Sequence, residues 1–342
     1  MAITVMSVSC DNNKVSTSLI DKQHPDIKDG RMTPEVLWSF GRVAGLEISS
    51  DGKKALYTVS YYSVAENKSN TEIFVMKIDG SEKKQITETP ERESSPVWMN
   101  DSEHIAYLCP DKKGISQLWI MKADGTGRKQ ISHHETGING FTFSPDEKKL
   151  LYFADVKLGK TTADIYPDLS KSSGIIVDDL MYKHWDEWKT TVPHPFIADF
   201  DGKKLTGEKD IMEGEPFESP MKPFGGVEQF SWSPDGKIIA YTSRKKTGKE
   251  YALSTNSDIY FYYVDNDTTV NQTEGMMGYD QNPVFSPDGQ WLAWESMERD
   301  GYEADKNRLF IMNIASGEKK DLSANFDQNS SGLKWTADSK SI

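Results

Sequence analysis

FSWSPDGKIIAYTS, residues 230–243, decides the fold of this chain. An alternating run, Phe230-Ser231-Trp232, enters the turn Ser233-Pro234-Asp235-Gly236, and a β-rich run over residues 238–241 leaves it. Proline and Asp-Gly supply the φ angles of a tight turn, and the flanks alternate apolar with polar as strands do. The phrase recurs as LEISSDGKKALYTV (46–59), PVWMNDSEHIAYLC (96–109), FTFSPDEKKLLYFA (141–154), PVFSPDGQWLAWES (283–296) and LKWTADSKSI (333–342). The turn aspartates Asp51, Asp101, Asp146, Asp235, Asp288 and Asp338 are spaced by 50, 45, 89, 53 and 50 residues. A period near fifty means propeller blades or solenoid coils.

A second phrase chooses between these. TEIFVMKIDGSEKKQIT (71–87), SQLWIMKADGTGRKQIS (116–132), SDIYFYYVDNDTTVNQT (257–273) and NRLFIMNIASGEKKDLS (307–323) each read as an apolar strand, a turn and a shorter polar strand. One repeat thus carries four antiparallel strands, a to d. Four-stranded repeats of this length pack radially as a β-propeller, because each sheet must bury both faces against its neighbours. The aromatics of strands a and c are the expected inter-blade core.

The 89-residue spacing is explained by the same phrase. No c strand follows the third copy until HPFIADFDGKKLTGE (194–208), so residues of about 156–193 form an insertion between strands b and c of blade 3. In such a blade the b-to-c and d-to-a connections emerge on one face and the Ser-Pro-Asp-Gly turns on the other. The chain therefore divides into a leader and linker over 1–32 and an all-β propeller over 33–342. Blades are expected at about 46–87, 94–132, 138–211, 227–273 and 279–323. A sixth, from about 330, breaks off inside its hairpin. An open edge of this kind is costly, so a longer parent chain of seven blades is expected.

Composition narrows the function. With 342 residues, 36% hydrophobic and 11% aromatic, the chain can bury a large core. A net charge of -13 argues against binding nucleic acid or an anionic membrane surface, which want a basic face. Two cysteines, Cys10 and Cys109, support neither a disulfide framework nor a cysteine metal motif, and Cys109 reads as a small buried hydrophobe. No transmembrane segment, metal site or cofactor motif is found: there is no HExxH, no P-loop and no dinucleotide fingerprint. Homo-oligomerisation is left open.

At the N-terminus, AITVMSVS (2–9) precedes Cys10 as at the end of a lipoprotein signal, yet a basic n-region is missing. Two readings stand: a signal shortened by a late start, or an ordinary leader. The first implies export, to the periplasm or to a lipid anchor at Cys10; a cytoplasmic location stays open. Further on, Thr33-Pro34-Glu35 predicts a short helix with Thr33 as cap and Pro34 in its first turn.

TPEVLWSFGRVAG (33–45), the Ser-Pro-Asp-Gly-Lys blades and DDLMYKHWDEWKTTVPHPFIADFDG (178–202) together resemble the prolyl oligopeptidase family of serine peptidases, nearest to the dipeptidyl-peptidase V and acylaminoacyl-peptidase types. The resemblance implies an N-terminal propeller gating a C-terminal α/β-hydrolase domain. It also implies that the partners are short peptides and that acidic residues projecting from the propeller bind a peptide's free amino terminus. The chain holds no Gly-x-Ser-x-Gly, so no catalytic residue is assigned and this segment is expected to be inactive alone. The alternative is a non-catalytic periplasmic propeller that binds a protein partner.

Candidate substrate-binding residues fall in the insertion. Asp178 and Asp179 are expected to open a short helix that sets Leu180, His184 and Trp188 on one side and Asp186 and Glu187, beside Trp185, on the rest. A buried ammonium wants one or two carboxylates close by. In the plainer reading the tryptophans pin the insertion to the disc and Asp178 and Asp179 favour a helix start. His184 and His194 lack a third metal ligand at sensible spacing, and His133-His134-Glu135 reads as a solvated loop.

Overall fold

The computed structural model describes residues 19–27, 29–180, 182–184 and 187–342. Cys10, Trp185 and Asp186 lie outside the described residues. The fold is all-β, built on five four-stranded antiparallel sheets. The first sheet orders β1 (Arg42–Ile48), β2 (Lys54–Ser63), β3 (Lys68–Lys77) and β4 (Lys84–Gln85); the second, β5 (Ser94–Trp98), β6 (His104–Pro110), β7 (Ser116–Lys122) and β8 (Lys129–Gln130). In the third, β9 (Gly140–Phe143) and β10 (Lys149–Lys157) pair with β13 (Thr191–Phe200) and β14 (Leu205–Asp210). Between them, residues 158–190 hold the helix α2 (Thr162–Ile165) and a hairpin of β11 (Lys183–His184) and β12 (Glu187–Trp188). The fourth sheet is β15 (Phe230–Trp232), β16 (Ile238–Ser243), β17 (Asp258–Tyr263) and β18 (Thr268–Asn271); the fifth is β19 (Asp280–Phe285), β20 (Trp291–Ser296), β21 (Arg308–Asn313) and β22 (Lys319–Asp321).

The chain forms two compact units, one of residues to Pro110 with Ile120–Lys129, the other of Asp111–Trp119 with Gln130–Ile342. In the first, Leu56, Ile73, Ile105 and Tyr107 are fully buried. A buried Glu93 meets Arg128 at 2.9 Å, and burial, with the nearby Glu72 charge, pushes its carboxyl up to about 7. Cys109 is buried as expected, and burial pushes its thiol up to about 12. The predicted helix, α1, forms over Pro34–Ser39, with the Thr33 hydroxyl accepting from the Val36 amide.

In the second unit the period of two does the packing. Along β16, Ile239 and Tyr241 pack with Phe153 and Phe230, while Ala240 joins Phe285 and Trp294 on the other face. Along β17, Tyr260 and Tyr262 join the first cluster and Ile259 and Phe261 the second. Successive side chains of a strand point to opposite faces, so each face of this sheet has its own apolar partner. Trp294 is fully buried, and its indole N–H donates to Asp280 at 3.0 Å. Burial pushes the Asp280 carboxyl up to about 7.

The repeated turns share one device. Ser233 Oγ donates to Asp235 at 2.6 Å and accepts from the Ile238 amide at 2.9 Å, while the Lys237 amide donates to Asp235 at 3.1 Å. Ser49–Asp51, Ser144–Asp146 and Ser286–Asp288 repeat the hydroxyl-to-carboxylate bond. In the sixth copy Thr336 and Asp338 make it as well, although no strand is formed between residues 322 and 342.

One expectation is corrected. Asp178 and Asp179 do not open a helix. The segment turns instead into the β11–β12 hairpin, in which His184 faces Glu187 and Lys183 faces Trp188. Leu180, His184 and Trp188 therefore share no helical side. The β-branched and aromatic residues around it favour extended backbone, and the side chains that would make a helix face find no core beneath them: Leu180 and Trp188 are exposed. His134, read as part of a solvated loop, is half-buried against the rings of Tyr152 and Phe196.

Replacing Ser233 with alanine leaves the Ile238 amide without its partner and should cost about 1–2 kcal/mol, read as a lower urea midpoint at unchanged slope. Asp280 and Glu93 keep their protons to about pH 7 when folded but lose them near pH 4 when unfolded. Their contribution is complete below about pH 4 and lost as the pH rises through about 7. Asp280→Asn should therefore flatten the fall of Tm between pH 4.5 and 7.5, and an unchanged profile would contradict the assignment.

Candidate functional site

The connections that follow the second strand of the third, fourth and fifth sheets span residues 158–190, 244–257 and 297–307. Together with the connection over residues 211–229 they wall a cleft of about 960 Å³. Local sequence builds each wall. Thr247 stands at the N-cap position of α3 (Gly248–Leu253) without a side-chain capping bond, and Gly248 sits at φ +53 where a side chain would run into the Asp179 carboxylate at 2.8 Å. The short helix turns Tyr251 inward, where it is 3% exposed. Asp300 then ties two connections together: it accepts from Ser254 Oγ and the Thr255 amide at 2.7 Å each, and the Gly301 amide donates to Thr255 Oγ1 at 2.9 Å.

Tyr251 is the centre of a charged knot. Its hydroxyl donates to the carboxylate of Glu218, which is 2% exposed. Lys189 Nζ lies 3.9 Å from its ring centre and the Arg244 guanidinium 4.0 Å, both within cation–π range. Lys189 Nζ is also 3.9 Å from Glu218 Oε2. Burial holds the Lys189 amine below its usual range, against the pull of Glu218, and raises the Tyr251 phenol. Arg244 donates to the Ser254 carbonyl at 2.9 Å. Nearby, Tyr279 donates to Glu303 at 3.3 Å. Such an arrangement can hold a small charged ligand: a buried cationic floor, aromatic sides, and the exposed carboxylates of Glu228 and Glu303.

The structure separates the residues singled out in the sequence. His184 lines this cleft. Glu187 is exposed, and its carboxylate lies 3.7 Å from Nζ of Lys222, a residue of the cleft wall. Asp178 and Asp179 line a different hollow, of about 790 Å³, between the insertion and residues 246–248. His194 is buried and satisfied by Asp210 at 2.8 Å and the Phe217 carbonyl at 3.0 Å. No group of three or more His, Cys, Asp or Glu among the described residues could hold a metal ion. Sequence reasoning missed Glu218, Arg244, Tyr251 and Glu303. A signal existed: the connections 244–257 and 297–307 leave the sheets as the insertion does and share its face by the same strand logic.

No protein-family model matches the chain. It is 55% identical over 311 residues to the dipeptidyl-peptidase 5 of Porphyromonas gingivalis, a match covering 91% of this chain and 45% of that protein. It is 48% identical over 281 residues to the dipeptidyl-peptidase 5 of Porphyromonas endodontalis, covering 82% and 40%. The chain thus spans less than half the length of these curated relatives. Among solved structures, the Pyrococcus horikoshii acylaminoacyl peptidase matches with a TM-score of 0.60 at 15% identity, over 85% of this chain and 41% of that one. The β-propeller domain of the trilobed protease from Pyrococcus furiosus matches with a TM-score of 0.52 at 15% identity, over 85% and 74%. No helix among the described residues is long and apolar enough to cross a membrane. By sequence this chain is a homologue of the dipeptidyl-peptidase 5 proteins over less than half of their length, and its fold is like that of the β-propeller domains these structures contain.

Proposed function

We propose that the chain is the substrate-selecting propeller of an exopeptidase that acts on short peptides, and that its cleft receives the peptide's free amino end. The observation that carries this reading is the charge pattern of the cleft: exposed carboxylates at Glu228 and Glu303, with Glu187 of the insertion beside Lys222, around a polar hollow large enough for a few residues of peptide. A peptide ammonium placed between carboxylates gains charge-assisted hydrogen bonds that a blocked or internal amine cannot make. A substrate without the free amine forgoes these bonds, which is the basis of the selection. Asp186 belongs to the same proposal through its place in the sequence, next to Glu187.

The test uses the full-length protein that carries this chain. Glu303→Gln, Glu187→Gln and Asp186→Asn should raise KM for free-amino dipeptide substrates, by roughly tenfold for a carboxylate that meets the ammonium. The kcat for the same substrates should change less. Unchanged KM in all three variants would remove the acidic rim from substrate selection.

A further inference from the structure

Arg244 asks for an explanation that the acidic rim does not supply. It is 7% exposed, yet it walls the cleft. Its guanidinium donates to the Ser254 carbonyl and lies near the Tyr251 and Tyr279 hydroxyls, but no carboxylate among the described residues pairs with it, and its Nε–H is buried without an acceptor. Lys189 lies over the same tyrosine ring and, among the described residues, pairs with Glu218 alone, at 3.9 Å. The Glu218 carboxylate in turn is held by Tyr251 and by the Lys222 amide at 3.3 Å.

Among the described residues, the buried Arg244 and the largely buried Lys189 therefore share one buried carboxylate, that of Glu218. Among the described residues a single positive charge is left without its own carboxylate at the floor of the cleft, in a chain whose net charge is -13. A cation held out of water without a counter-ion is unfavourable, and the ready remedy is an anion from outside. The planar fork of an arginine matches a carboxylate in both shape and charge.

We propose that the pocket at Arg244 binds a carboxylate of the ligand. This rests on the reading of the cleft as a peptide site. The carboxylate is either the C-terminus of a short peptide or an Asp or Glu side chain within it. With Glu303 and Glu228 on the rim and Arg244 on the floor, the cleft then complements a peptide that carries both signs of charge.

The test again uses the full-length protein. Peptides are compared in pairs: free C-terminal acid against amide, and, as amides, Glu against Gln at each position. The wild type should favour one acid member by about tenfold or more in kcat/KM. The pair that responds identifies the source. Arg244→Gln should erase that preference, so that the acid and amide members of the pair are turned over alike, and Arg244→Lys should keep part of it. Indifference of the wild type to every pair would overturn the proposal, whatever the variants do. A second readout needs no turnover: an N-acetylated tripeptide acid should raise Tm more than its amide, and the difference should vanish in Arg244→Gln. Should the protein lack peptidase activity, the peptide reading fails on its own, and this shift still decides whether the carboxylate site exists. Equal shifts for acid and amide would refute it.

Discussion

Two-sided burial of the inner sheets is the constraint on which the rest depends. The fourth sheet shows it directly, since Ile239 and Tyr241 of β16 serve one apolar cluster while their neighbour Ala240 serves the next. A half-exposed strand would alternate apolar with polar; a strand buried on both faces cannot afford the polar half. This is why β16 and β20 read as near-continuous apolar runs. It also explains the aromatic load: a large ring buries far more area than an alanine, and each fully buried aliphatic or aromatic side chain contributes roughly 1.5–3 kcal/mol. The Ser-Asp turns close the hairpins at one end and leave the other end free for long connections.

Those free connections are where polar chemistry collects. The charged knot around Tyr251 is assembled from the connections of residues 158–190, 211–229 and 244–257, stabilised by hydrogen bonds rather than by a sheet ladder. Its partners are expensive groups to bury, and most are matched in kind: the Tyr251 hydroxyl to Glu218, the Ser243 hydroxyl to the Glu218 carbonyl at 2.9 Å, and Asp300 to two amides and a hydroxyl. Against that background an arginine with no carboxylate stands out. Low local dielectric makes both satisfied and unsatisfied members of such a network count for more than they would in water.

The architecture was legible in the sequence because it is periodic. Pro, Asp-Gly and the Ser-x-Asp spacing are local chemistry, and the short apolar runs that flank them are local too, so hairpins such as β15–β16 could be read without knowing their neighbours. The cleft was less legible. His184 was singled out and does line it, but the helix proposed around it did not form, because nothing apolar lies beneath Leu180 and Trp188 to reward a helical face. Glu218 and Arg244 carry no local signature at all: one follows Phe217 in a connection rich in proline, the other begins a basic run that reads as solvated.

The sequence by itself determined the four-stranded repeats, their turns and the strand order within each, since these follow from residue types within about fifty positions of one another, and the one 89-residue spacing marked the insertion. It also carried the family likeness. Only the tertiary structure decided which charges meet. Lys189, Glu218, Arg244 and Tyr251 lie in three separate connections, and their grouping depends on how the third and fourth sheets stack and bring those connections to one end. Coulomb and hydrogen-bond energies fall steeply with distance, so the chemistry of the cleft is set by that stacking and is invisible to any reading confined to one strand and its turn.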